Sequence, residues 1–279
     1  EVNDTTLGRK AIEGFCEIIE AAGWRSTLFL MPEEIESFPD LLARKAEAGH
    51  EIALHLHPDE SGFPGGSLGV YSRDEQLEIV GKGLDAFERI LGVRPVTARP
   101  GFGGANDATF PVMAELGIRQ TSMSFPGRKM SGFASNWAGA PLFAHYAHPY
   151  NRFLTGGLDL VEIPFSVDWE TMIWGGIHPQ DLRVEFTDAK NHGFLIRKIM
   201  QRQVMDNLPL RALVPFTHNI FDYSDRSNFR RETMEGMIEE IVRNGESLDA
   251  ELIGATLSEA AAAFRAFEGT HGAVGPVQG

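Results

Sequence analysis

Short apolar runs separated by longer stretches of helical period constrain this chain most. STLFLM (residues 26–31), GHEIALHLH (49–57), LDLVEIP (158–164) and ALVPFTH (212–218) suit buried strands and are too short for helices. Residues 93–98 and 119–123 read the same way. Between them Asp4-Thr5-Thr6 caps a helix to about residue 22, with Gly23 as its stop. Pro32 opens a helix whose pattern continues to about residue 48. Ser72 and Glu75 form a capping box for a helix over 73–90, and Asn106 or Asp107 caps one over 108–116. Further helices are expected at 190–205 and 230–243, with a terminal strand and helix near 251–266. Residues 124–156 lack a clean period and read as a long functional insertion. Alternating strands and helices pack as a parallel sheet covered by helices. One βα-repeat domain over 1–268, followed by a tail over 269–279, is the economical reading.

The composition excludes several partners. Of 279 residues, 43% are hydrophobic and 23% charged, enough for a sizeable core. A formal charge of −14 opposes binding to nucleic acid or anionic membranes. No apolar run reaches the roughly 18 residues of a membrane span, and no signal peptide is visible, so a cytoplasmic setting is expected. Cys16 is the sole cysteine and sits among Phe15, Ile18 and Ile19, a core position rather than a nucleophile. Oligomeric state is not written in the sequence.

In βα-repeat folds functional groups gather at the C-terminal ends of strands. Those positions here carry His55, His57, Asp59, Arg99, Ser122, Ser124, Ser166, Asp168 and His218. His55, His57 and Asp59 fall at every second position, hence on one face of an extended chain. Imidazole and carboxylate donors suit zinc and other divalent first-row metals; the alternative is a half-exposed histidine pair at a loop. Asp4 is a ligand, a base or an ordinary helix cap. Arg99, before PGFGGAND, either orients a catalytic carboxylate or makes a structural ion pair. His218 suits general acid or base work, or plays a structural part. Phe102, Asp168 and Trp169 are candidates for substrate contact, with Trp169 as a sugar-stacking face.

Taken in order these pieces resemble the polysaccharide deacetylases, the NodB-homology domain of carbohydrate esterase family 4. The run AIEGFCEIIEAAGWRSTLFLMPEE through FPDLLARKAEAGHEIALHLHP is similar to that family's first helix, second strand, second helix and His motif. RPGFG (99–103), LGIRQTSMSF (116–125), LVEIPFS (160–166) and LVPFTH (213–218) resemble its later motifs. The resemblance implies a distorted (β/α) barrel of seven strands carrying one divalent ion, zinc first, with nickel, cobalt or manganese as alternatives. It implies removal of an acyl group, usually N-acetyl, from an amino sugar or polysaccharide. Carried over by residue, His55 matches the first metal histidine, His218 the general acid, and Arg99 the residue tethering a catalytic Asp.

Two departures follow. Asp59 stands where the family has its second metal histidine, so the second ligand is Asp59 or, in an HxH variant, His57. The family's first motif is a strand ending in two acidic residues, and only EVND stands here. Asp4 then takes the metal-binding Asp position, with Asn3 in place of the paired base; otherwise Glu1 is the ligand and the base lies upstream of it. Two other readings share the scaffold: hydrolysis of a non-sugar C–N bond, as in allantoinase-like relatives, and a degenerate barrel holding glycan on Trp169 and Trp174.

Overall fold

The computed structural model describes residues 4–59 and 62–271. It begins with α1 (Thr5–Ala21), β1 (Thr27–Leu30), α2 (Pro32–Ser37), α3 (Pro39–Glu47) and β2 (Glu51–Leu56). The single helix expected over 32–48 is two. Pro39 supplies no N–H to bridge them, and Phe38 leaves helical geometry at φ −133°. Next come α4 (Arg73–Leu91), β3 (Thr97–Pro100), α5 (Thr109–Glu115) and β4 (Gln120–Thr121). The capping box of α4 forms as read: Glu75 N–H donates to Ser72 Oγ, and Ser72 N–H donates to Glu75 Oε2 at 2.8 Å. β3 starts later than the expected residue 93 because Val93 and Val96 are exposed, with no sheet partner to bury them.

The aperiodic stretch 124–156 holds a two-stranded ribbon, β5 (Lys129–Met130) with β6 (Ser135–Asn136), and then β7 (His145–Tyr146). After β8 (Val161–Glu162), β9 (Val167–Ile173) and β10 (His178–Asp181) form an antiparallel hairpin that the sequence reading did not anticipate. The helices α6 (Ala189–Met205), α7 (Phe229–Ser247) and α8 (Leu257–His271) complete the chain. The expected strand over 212–218 is extended chain joined by one parallel bridge, Phe216 to Arg183. The terminal strand expected before α8 does not form among the described residues.

The sheet order is β1-β2-β3-β4-β8-β7, parallel except for β7. The α/β class therefore holds. The described strands form a ladder of six, and 212–218 lies against residues 182–184 and Ser166. Residues 1–3, where the first motif was sought, lie outside the described residues.

The core follows from period. Leu54 and Leu56 are buried on one face of β2 against Leu30, Leu84 and Phe87. A second core joins α6 and α7 through Leu195, Ile196, Met234, Met237 and Ile241. At the N-terminal end of the sheet a polar layer replaces apolar packing: Glu51 accepts from Thr27 Oγ1 at 2.8 Å and from Ser258 N–H of α8 at 3.1 Å. The C-terminal ends are left for chemistry.

Glu162 fixes the centre of that functional edge. Fully buried, it accepts from Thr121 Oγ1 (2.6 Å), Met123 N–H (3.0 Å), and Ser124 N–H and Oγ (2.8 and 2.7 Å). Glu162→Ala strands two backbone donors in a dry interior and is expected to cost at least about 3 kcal/mol. Urea unfolding measures it; a loss well under that value shows that other acceptors replace the carboxylate.

Candidate functional site

The register of two parallel strands builds the first half of the site. His55 of β2 pairs with Arg99 of β3, and its Nδ1–H donates to the Arg99 carbonyl at 2.7 Å. That bond fixes the tautomer and leaves Nε2 with a lone pair, the usual preparation of a metal-binding imidazole. Burial, with His57, Arg99 and His218 nearby, pushes its pKa down to about 3, so the ring is neutral. His57 lies on the same face, its ring edge-on to His55 at 4.9 Å and edge-on to Phe102 at 4.9 Å.

Gly101 explains why His57 can lie so close to the loop after β3. A β-carbon on Gly101 would stand 2.4 Å from the His57 ring. Gly101→Ala is expected to displace His57 and to cost about 1–3 kcal/mol by overpacking. A structure of the variant with His57 unmoved would contradict this.

Arg99 is bonded on the inner side of the sheet. Its Nε–H and Nη2–H donate to Ser122 O (2.7 Å) and Ser122 Oγ (2.9 Å), and the guanidinium lies between the rings of Phe29 and Phe165. Burial lowers its pKa to about 9, which keeps it charged at neutral pH. Among the described residues no carboxylate hydrogen-bonds to it. It orients His55 through its own carbonyl instead.

Asp4 sits at the head of α1, where Oδ1 accepts from Thr6 N–H at 2.9 Å and Leu7 N–H at 3.1 Å. The capping role is therefore realised. Asp59 is exposed and turned toward Gly66. Among the described residues, Asp4, His55, His57 and Asp59 do not converge as a set of three donors. Glu1 and Asn3 lie outside the described residues.

Cys16, Glu20 and His50 do converge, with donor atoms within 4.8 Å of one another, but their protons are already placed. Ser26 N–H donates to His50 Nδ1 at 3.1 Å, so Nε2 carries the ring proton and gives it to Glu20 at 3.1 Å. Lys45 holds the same carboxylate at 2.7 Å, and burial pushes the Cys16 thiol up to about 12. Both imidazole nitrogens are thus committed and the thiol keeps its proton. This is a hydrogen-bonded knot between α1 and β2.

The second half of the site is His218, and its support was not read from sequence. Glu185, just beyond β10, accepts from His218 Nδ1–H at 2.8 Å and from His218 N–H at 2.9 Å. Burial works to raise the Glu185 carboxyl, but the His218 bonds outweigh it and hold it below the usual range. With Nδ1 occupied, Nε2 of the exposed ring is the free face. The next residue, Asn219, donates to Glu34, whose other oxygen accepts Met31 N–H at 3.0 Å. Burial raises the Glu34 carboxyl. The pair ties the His218 segment to the end of β1.

The three substrate-contact candidates separate. Phe102 is half-exposed beside His57 and stacks near Phe133, ring centroids 4.5 Å apart. Asp168 is buried and bound by Lys198 (2.8 and 3.0 Å), Thr171 and Glu170 N–H. Burial opposes its charge, yet these donors hold it below the usual carboxylate range. With Trp169 it lines a cavity of about 260 Å³ between β9 and α6, whose walls do not include His55, His57 or Phe102.

His55 is neutral and oriented at the C-terminal end of its strand, and His218 is oriented by Glu185 at the end of the extended stretch 212–218. Residues 3–121 match the polysaccharide deacetylase family model. The match covers less than half of the chain. Chitin deacetylase 1 of Cryptococcus neoformans is 26% identical over 96 residues, 34% of this chain and 19% of that protein. Peptidoglycan-N-acetylmuramic acid deacetylase PdaC of Bacillus subtilis is 31% identical over 84 residues, 29% of this chain and 16% of that protein. Each match thus spans less than one fifth of the relative's length. In fold, the chain is similar to a Mycobacterium smegmatis structure described as a polysaccharide deacetylase. The TM-score is 0.63 at 20% identity, covering 94% of this chain and 79% of that one. No helix among the described residues is long and apolar enough to cross a membrane.

Proposed function

We propose that the protein is a metal-dependent hydrolase that removes an acetyl group from an amino sugar within a carbohydrate polymer. The observation carrying this reading is His55: a neutral imidazole whose Nδ1–H is committed to the Arg99 carbonyl and whose Nε2 is left to bind. His55 and His57 hold one divalent ion, with Asp59 as the alternative second donor. Zinc is assigned first because imidazole with carboxylate suits it; nickel, cobalt and manganese accept the same donors. A divalent ion held there would polarise the amide carbonyl and ease deprotonation of the attacking water.

The chain's own residues do the rest. Water adds to the carbonyl carbon, the C–N bond breaks, and acetate and amine leave. Protonated His218 gives its Nε2 proton to the departing amine nitrogen, while Glu185 holds the opposite ring nitrogen through Nδ1–H. The proton acceptor is assigned to the acidic start of the chain: Asp4 through the carboxylate oxygen not used in its cap, or Glu1. A cytoplasmic setting belongs to the same proposal. Acetate release from N-acetylated glucosamine oligomers, run beside a ureide panel, tests it. Turnover of ureides alone would favour the non-sugar C–N reading; saturable glycan binding without acetate release would favour the binding barrel.

A further inference from the structure

Arg128 follows the extended stretch after β4 and is buried, with 3% of its surface exposed. Its Nη1–H donates to the Phe102 carbonyl at 2.8 Å, and its Nε–H donates to His178 Nδ1 at 2.9 Å. His178 must then carry its proton on Nε2, which it gives to Asp181 Oδ2 at 3.0 Å. The other Asp181 oxygen accepts Arg183 N–H at 3.1 Å. Both His178 and Asp181 are fully buried, Trp174 stacks on His178, and Phe125 covers the guanidinium. This arginine–histidine–aspartate line has no direct contact with His55 or His218, and the proposed chemistry does not use it.

What it holds is unusual backbone. Phe102 has φ +57°, a left-handed conformation that costs any residue with a β-carbon. The carbonyls of Phe102 and Gly103 are both pinned from the interior. Arg128 takes that of Phe102, and Trp137 Nε1–H donates to that of Gly103 at 2.8 Å. The strained turn places the Phe102 ring against His57 and beside Phe133, and both phenyl rings keep a half-exposed face.

We propose that Arg128, locked by His178 and Asp181, is a positioning residue that holds Phe102 in its left-handed turn. Phe102 and Phe133 thereby form a rigid aromatic wall next to His57 that receives the C–H face of the substrate ring. The wall's role in substrate recognition rests on the proposed acyl-hydrolase activity; the positioning of Phe102 does not.

Two readouts separate these claims. Amide hydrogen exchange at residues 101–104 reads the turn without any turnover. Arg128→Met is expected to raise exchange there, with a milder rise in His178→Gln, which loosens the arginine but keeps it. In acetate release, Arg128→Met should raise KM about tenfold with kcat little changed, as a misplaced binding wall does. In a Phe102→Gly background, where glycine takes the left-handed turn unaided, Arg128→Met should add under about twofold. A structural role alone would lower activity equally in both backgrounds, and that additivity would overturn the proposal. Unchanged exchange at 101–104 in both Arg128→Met and His178→Gln would overturn it as well. If Arg128→Met does not fold, His178→Gln alone carries the exchange test and the KM cycle. If the wild-type protein releases no acetate while the exchange pattern appears, the positioning stands and the proposed activity fails.

Discussion

His218→Asn is expected to lower kcat by roughly 10²–10⁴, the usual worth of a general acid, with KM nearly unchanged. The reason lies in the pair it forms. Glu185 accepts both the ring Nδ1–H and the backbone N–H of His218, so ring orientation and tautomer are set before substrate arrives. Glu185→Gln keeps the shape but can offer its NH₂ to Nδ1 and favour the wrong tautomer; a loss of about 10- to 100-fold is expected, by analogy with the cost of removing orienting partners. Substrates with a leaving group that needs no proton, such as an activated acetyl ester, should be far less sensitive to His218→Asn. Equal losses on amide and activated ester would remove the proton-donor role.

His55→Ala is expected to reduce turnover by at least about 10³, because on the proposed reading it removes a donor from the ion that would polarise the carbonyl. Added metal should not restore the rate. The comparison of His57→Ala with Asp59→Ala decides the second donor. His57 touches His55 and is packed on Gly101, whereas Asp59 is exposed, so the His57 change is expected to be the more damaging by about tenfold or more. A larger loss in Asp59→Ala would exchange their roles.

What the sequence made legible was local. The capping box of Ser72 and Glu75 lies within one turn of helix, and the period of two in EIALHL declares which face of β2 is buried. The break between α2 and α3 was also local, since Pro39 stood in plain view, but helical period on both sides hid it. Strand ends were harder. β4 and β8 are only two residues long, and their limits depend on which neighbour they meet rather than on their own composition.

The site divides along the same line. His55, His57 and His218 could be singled out because each lies in or just after an apolar run of extended chain. Glu185 could not, since its meaning comes from His218, 33 positions later. Nor could the Arg128–His178 bond, which spans 50 positions. A weak signal did exist for Glu185: it interrupts the apolar run that carries buried Leu182 and Val184. Arg99 lies at the end of β3, and among the described residues Ser122 and two phenyl rings surround its guanidinium, contacts that its place in the sequence did not announce. Asp4 offered a cap and a ligand at once, and the start of α1 uses it as a cap.

The most direct test is the metal content of the purified protein, measured by mass spectrometry after exhaustive dialysis against metal-free buffer and one round of reloading with zinc. The expected result is close to one zinc per wild-type chain, acetate release that rises with occupancy, and no retained zinc in His55→Ala. A folded wild-type protein that retains no zinc, nickel, cobalt or manganese, or a His55→Ala protein that retains zinc as fully as wild type, would contradict it.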